Sequence, residues 1–152
     1  MVEQHEALQA LVEFCPELRL EVQGHLAEHG NELPYAAAGA IAARLLAFHQ
    51  QGAAAPLQAA ATAIEHLLIC GTPWVQEFAT VGLLEGIQNV WANGGADPES
   101  FGQYLQTESA RRWEELNKFY LMVRAAAHSQ DAIESPFDFF SKVRLGSHML
   151  EG

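Results

Sequence analysis

The sequence predicts an all-α, single-domain bundle of about seven or eight helices, with a mostly buried central helix near residues 73–91. Three observations carry this expectation. Apolar residues recur at i, i+3, i+4 spacing along nearly the whole chain, turn signals interrupt the pattern at helix-length intervals, and no run alternates β-branched with polar residues as a half-buried strand would. The 152 residues, 49% hydrophobic and 18% charged, suit one domain that buries roughly 70% of its unfolded surface. That apolar content is too high for a chain held open by charge.

Each element follows from local signals. Leu8, Leu11, Val12 and Cys15 form the stripe of a first amphipathic helix, which Pro16 ends. Leu18, Val22 and Leu26 continue in a second helix that stops near Gly30-Asn31. Pro34 opens a third with Ala38, Ile41, Ala42, Leu45 and Phe48 on one face, and the tract from Gln51 to Pro56 reads as a turn. A fourth helix carries Leu57, Ala60, Ala61, Ile64, Leu67 and Leu68. Thr72-Pro73 then supplies a cap and a first-turn proline. The helix behind it, with Trp74, Phe78, Val81, Leu83, Leu84, Ile87, Val90 and Trp91, leaves no wide polar face and belongs inside the bundle.

Asn93-Gly94-Gly95 breaks the central helix, and Asp97-Pro98 repeats the start signal for a short helix to about Leu105. A long helix from Glu108 to about Ala127 should turn Trp113, Leu116, Tyr120, Val123 and Ala127 inward. Ser135-Pro136 opens a last short helix with Phe137, Phe140 and Val143. The final segment, 146–152, has the look of a vector-derived tail, which leaves 1–145 as the expected domain.

Charge narrows the classes of partner. Lys and Arg number 8 against 19 Asp and Glu, a formal net charge of −11. Direct binding to nucleic acid is not expected, because phosphate contacts need a basic footprint. The distribution says more than the total. No Lys or Arg occurs between Arg44 and Arg111, while Glu65, Glu77, Glu85, Asp97, Glu99 and Glu108 fall there. The first stretch holds Glu3, Glu6, Glu13, Glu17, Glu21, Glu28 and Glu32 against Arg19 alone. Such a bias suits a solvated surface or a basic partner. Apolar stretches broken by Gln51, Gln58 and Glu65 are too short for a membrane span. With no leader-like start, and with Cys15 and Cys70 as lone, non-motif thiols, a cytoplasmic protein is expected.

One string looks catalytic: His25-Leu26-Ala27-Glu28-His29 fits the H-x-x-E-H pattern, in which two His share a zinc and the Glu polarises its water. The segment sits at a polar helix end with no obvious third ligand, so a solvated terminus suiting the helix dipole is the plainer reading. Glu65 and His66 point different ways on their helix and cannot act as a pair. Phosphate loops, nucleophile elbows and CxxC motifs are absent from the sequence. Neither catalysis nor a cofactor or metal is therefore expected. Glu85 falls between Phe78 and Val81 on the wheel of the central helix and is expected to be at least half-buried, where a carboxylate needs a partner such as Arg44, Arg111, Arg112 or a backbone or indole N–H.

Two segments carry a resemblance. Val81-Gly82-Leu83-Leu84-Glu85-Gly86-Ile87-Gln88-Asn89, and Tyr104-Leu105 followed by Glu108-Ser109, Trp113, Leu116 and Phe119-Tyr120, are similar to core patterns of a family of small all-helical bacterial proteins found beside polymorphic-toxin genes. Gln106-Thr107 stand where that family often has a Gly turn. The resemblance implies an immunity protein, an inhibitor that binds a cognate toxin domain. With the acidic bias, the expected partner has a basic cleft. The expected contact surface comprises Asp97, Glu99 and Glu108 for charge, Phe101 or Tyr104 as an aromatic anchor, and Glu77 as an extension of the patch. The alternatives are a small zinc-dependent hydrolase using His25, Glu28 and His29, or a helical adaptor that holds a partner helix in a groove.

Overall fold

The computed structural model describes residues 1–32 and 34–129. The helix expected to open at Ser135-Pro136 and the segment 146–152 lie outside them. The chain forms two compact units, Met1–Trp113 and a second that begins at Glu114. Among the described residues the fold is all-α, with one isolated bridge between Val2 and Gly71 in place of any strand.

The helices are α1 (Ala7–Phe14), α2 (Arg19–His29), α3 (Pro34–Gln50), α4 (Ala54–Cys70), α5 (Pro73–Glu77), α6 (Glu85–Asn93), α7 (Glu99–Gly102) and α8 (Thr107–Ser129). Short 3-10 turns, Gln4–Glu6 and Pro16–Leu18, precede α1 and α2. The segment Phe78–Leu84 between α5 and α6 is π-helical, so the three pieces run on as one helix and the described residues hold seven. No helix among them is long and apolar enough to cross a membrane.

The periodic stripes become the core. Leu8, Leu11, Cys15, Leu18 and Val22 are buried from α1 and α2, Ala38, Ile41, Ala42, Leu45 and Phe48 from α3, and Leu57, Ala60, Ala61, Ile64, Leu67 and Leu68 from α4. Burial pushes the Cys15 thiol up to about 12, and the nearby Glu17 carboxylate adds to the shift. The expected turn at 51–56 is shorter: α4 starts at Ala54, because Pro56 falls within the first turn, where the N–H it lacks would have no helical acceptor. α7 stops at Gly102, short of Leu105. On α8, Trp113, Leu116 and Phe119 are buried, Tyr120 and Val123 are half-buried, and Ala126 is buried while Ala127 is exposed.

The central helix is the most enclosed element, burying Val75, Phe78, Ala79, Thr80, Gly82, Leu83, Leu84, Ile87, Gln88 and Trp91. α3 packs along it through the π-helical segment and α6. The two run in the same direction: Tyr35 meets Phe78 near their starts, and Trp91 Nε1 donates to the Ala42 carbonyl at 3.2 Å farther on. Thr72 caps the start as its sequence predicts, its Oγ1 accepting from Val75 N–H at 3.3 Å. At the α4–α5 turn a Cβ on Gly71 would lie 2.3 Å from the Leu67 carbonyl oxygen, so glycine alone fits. Val2 ties the amino-terminal segment to this turn, donating to the Cys70 carbonyl at 2.7 Å and accepting from Thr72 N–H at 3.1 Å.

Candidate protein-binding surface

The expected surface, Asp97 to Glu108, is built chiefly as a structural joint. Phe101 is fully buried. Its ring lies 5.7 Å from Trp91 and 6.2 Å from Trp113, so it anchors the core and cannot serve as an exposed contact for a partner. The carboxylates around it have internal tasks. Asp97 Oδ1 accepts from Glu99 N–H at 3.0 Å and shapes the start of α7. Glu99 Oε1 accepts from the indole N–H of Trp113 at 2.9 Å.

Glu108 receives hydrogen bonds from both Arg111 and Arg112. The Arg111 guanidinium holds the Glu108 carboxyl below the usual carboxylate range, partial burial opposes the shift, and Arg112 adds to it. Tyr104 is half-exposed, with its ring 6.5 Å from Phe101. Glu77 lies half-buried at the end of α5, on the central helix.

Glu65, set aside in the sequence, is the carboxylate that locks this joint. It is buried on α4 and accepts the backbone N–H of Ser109 at 2.8 Å and of Glu108 at 3.1 Å. Both donors sit in the first turn of α8, whose N–H groups have no partner within the helix. A negative charge there also complements the helix dipole. Position 65 gives no local hint of this, because its partners lie 43 and 44 residues away.

Glu85 is half-buried, as its place among apolar positions predicts, with one carboxylate oxygen wholly enclosed. Of the arginines expected near it, Arg111 and Arg112 bond Glu108, and Arg44 lies 3.5 Å from Glu21. The π turn sets the local register, with Glu85 N–H donating five residues back to the Thr80 carbonyl. Thr80 helps to open the turn, because its hydroxyl donates to the Gln76 carbonyl at 2.9 Å. Glu85 thus comes to a half-buried flank of the helix, where its charge acts on the Tyr35 phenol.

That flank is the face the sequence reading missed. Tyr35 is 47% exposed at the start of α3. Its ring is nearly perpendicular to Phe78 (5.5 Å, 90°) and to Trp74 (6.4 Å, 79°), which themselves stack at 5.5 Å and 11°. Phe78 is fully buried beneath, and Trp74 is half-buried beside it. Burial raises the Tyr35 phenol above its usual value, and the charges of Glu77 and then Glu85 raise it further. A Cβ on Gly82 would come within 3.0 Å of the Phe78 ring and 3.4 Å of Tyr35, so the glycine lets these rings close up. One signal was available: Tyr35 extends the Ala38, Ile41 and Leu45 stripe by one turn, to where the helix begins and cover runs out.

The catalytic-looking string is a helix terminus of a different kind from the solvated one expected. His25 is buried, and its Nε2 donates to the Glu32 carbonyl at 2.7 Å. The His25 and His29 rings lie 5.0 Å apart and tilted by 46°. Among the described residues no three His, Cys, Asp or Glu side chains are grouped to hold a metal ion. On the α1–α4 side, Glu6, Glu13, His5 and His66 line an open groove of about 690 Å³.

Neither a curated protein nor a solved structure matches the chain. A family described as Domain of unknown function (DUF7674) matches residues 8–121 of the 152, and the chain belongs to that family.

Proposed function

We propose that this chain is a non-enzymatic inhibitor, a cytoplasmic immunity protein that binds one cognate toxin domain and covers a basic cleft in it. The observation that carries the reading is the Tyr35–Trp74 face, an exposed aromatic anchor flanked by Glu77 and Glu85. Aromatic side chains set on rigid elements dominate protein interfaces, and charge of one sign around them speeds association with an oppositely charged partner. Exposed Glu3, Glu6, Glu13, Glu17, Glu28 and Glu32 extend the negative field over the amino-terminal third. The similarity of Val81–Asn89 to the toxin-neighbourhood proteins supports the same reading, since that segment underlies the aromatic face.

The test is capture followed by neutralisation. The tagged chain is used to retain proteins from its native host across a salt series, and the retained protein is then expressed with and without the chain. The proposal expects one stoichiometric partner that arrests growth alone and is harmless when co-expressed. A retained partner that is harmless by itself, or stays toxic in the presence of the chain, overturns the inhibitor reading. Several weakly held clients favour an adaptor instead.

A further inference from the structure

We infer that the open groove between α1 and the end of α4 is a docking site for a cationic amphipathic helix of a protein partner, laid along α1 with its basic side chains on Glu6 and Glu13. The groove has a volume of about 690 Å³ and shares no residue with the Tyr35 face. One wall is the amino-terminal turn and α1, with His5, Glu6, Gln9 and Glu13; the other is α4, with His66 and Cys70 one turn apart. Val2 and Ala10, half-buried and buried, line it between them.

Charge sets the sign of the occupant. Glu6 and Glu13 are exposed, and among the described residues neither forms an ion pair. Glu6 accepts the backbone N–H of Glu3 with Oε1 at 3.1 Å, which leaves its second oxygen and the Glu13 carboxylate to meet a ligand. The lining holds no Lys or Arg, and the Met1 amine stands at the open end, where Met1 is 87% exposed. A cationic segment is drawn to such a groove and an anionic one is repelled.

Shape sets the class. Glu6 and Glu13 are seven residues apart, about 10 Å along a helical path, and two turns return the chain to the same face. Lys or Arg at i and i+7 of a second helix beside α1 repeats that spacing. The rim adds apolar contact. Phe14, 38% exposed, packs against the His66 ring with centroids 4.8 Å apart, and Ile69, 65% exposed, follows His66 by three positions on the same flank of α4. A helix with an apolar stripe and basic borders covers both features, as helices held in grooves do.

The two thiols let the site be read directly. Cys70 lines the groove, whereas Cys15 is fully buried with its thiol pushed up to about 12. Iodoacetamide should modify Cys70 and spare Cys15 in the folded chain, so Cys15 reports unfolding. The probe is a capped amphipathic peptide of leucine and lysine in helical spacing, titrated into the full chain while modification of each thiol is timed by mass spectrometry. The expected result is a saturable slowing at Cys70 by about tenfold or more, absent when glutamate replaces lysine in the peptide. Glu6→Gln combined with Glu13→Gln should weaken the peptide by about tenfold. Glutamine at position 6 can still accept the Glu3 N–H, so the turn is kept. Glu28→Gln, which removes an exposed acid on α2, should change binding by less than about twofold.

No saturable protection of Cys70, or equal weakening by Glu28→Gln, would overturn the docking site. Equal protection by spermidine, which carries the charge without an apolar face, would reduce it to a site for small polycations. Protection that rises with the concentration of the chain itself, without peptide, would make the occupant a second copy and overturn the cationic helix. The inference does not depend on the inhibitor reading: a chain that docks the peptide and neutralises no toxin keeps the groove and removes the inhibitor.

Discussion

Two acidic regions of this molecule look alike in sequence and differ in structure. Around residues 97–108, carboxylates turn inward: Asp97 onto a backbone N–H, Glu99 onto the Trp113 indole, Glu108 onto two arginines, with Glu65 bonding the first turn of α8 from across the bundle. Around Tyr35, the acids border an aromatic ring that is half in solvent. An acidic residue near a helix start can thus be committed to holding the helix end, and counting charges does not show which acids are so committed.

The largest expected effect breaks the joint outright. Phe101→Ala empties a fully buried site between Trp91 and Trp113 and should cost about 3–5 kcal/mol, read by denaturant unfolding. A loss below about 1 kcal/mol would mean that Phe101 is not a core residue and would reopen it as a partner contact.

Glu65→Gln comes next. It removes the charge from two hydrogen bonds to the α8 start and turns an amide N–H₂ toward one donor, for an expected loss of about 2–4 kcal/mol. Because those bonds need no partner molecule, Glu65→Gln should still bind as the native chain does under conditions where it is folded. Weakened binding with unchanged stability would move Glu65 from the joint to the interface.

Protonation of Glu108 provides a smaller, pH-resolved effect. Its carboxyl is depressed in the folded chain, so its contribution is present above the ordinary glutamate value of about 4.3 and is lost as pH falls through the lower folded value. The stability gap between the native chain and Glu108→Gln should be constant above pH 5 and shrink only below about pH 4.3. Partial exposure keeps the gap small at any pH. A gap that changes between pH 6 and 8 would contradict the pairing with Arg111 and Arg112.

The smallest expected change in stability belongs to Gly82→Ala. Helix propensity gains about 0.5–1 kcal/mol, which offsets much of the crowding against Phe78 and Tyr35. The tightest contact, 3.0 Å, falls on the buried Phe78 ring, and any shift that ring passes on to Tyr35 should appear as weaker partner binding. Unchanged binding in this variant would argue that the position of Tyr35 does not matter.

Most of the fold was legible because a helical stripe is local information: Leu8, Leu11, Ile41, Leu45, Ile64 and Leu67 are buried where their spacing predicts. Helix starts at Thr72-Pro73 and Pro34 were legible for the same reason. The site was not. Glu65 is paired to residues more than 40 positions away, and no local pattern encodes that. The π-helical register arises from which carbonyl each N–H reaches, and a regular wheel does not contain it. Phe101, expected as an exposed anchor, is fully buried, whereas Tyr35, to which the sequence assigned no role, is half-exposed. Both are aromatic and flank apolar runs, and only the packed neighbours decide which one water can reach.

The central claim, that partner binding lies on the Tyr35 face and structural duty on the 97–108 joint, has one direct measurement. Tyr35→Ala and Glu99→Ala chains, each at equal folded concentration, are compared for retention of the captured partner alongside their thermal unfolding. The account predicts that Tyr35→Ala releases the partner with a stability loss of about 1 kcal/mol or less, since its ring is already half exposed. Glu99→Ala should retain the partner and lose about 1–3 kcal/mol, as the Trp113 indole is left without its acceptor. The opposite pattern, partner lost with Glu99→Ala and kept with Tyr35→Ala, would contradict it.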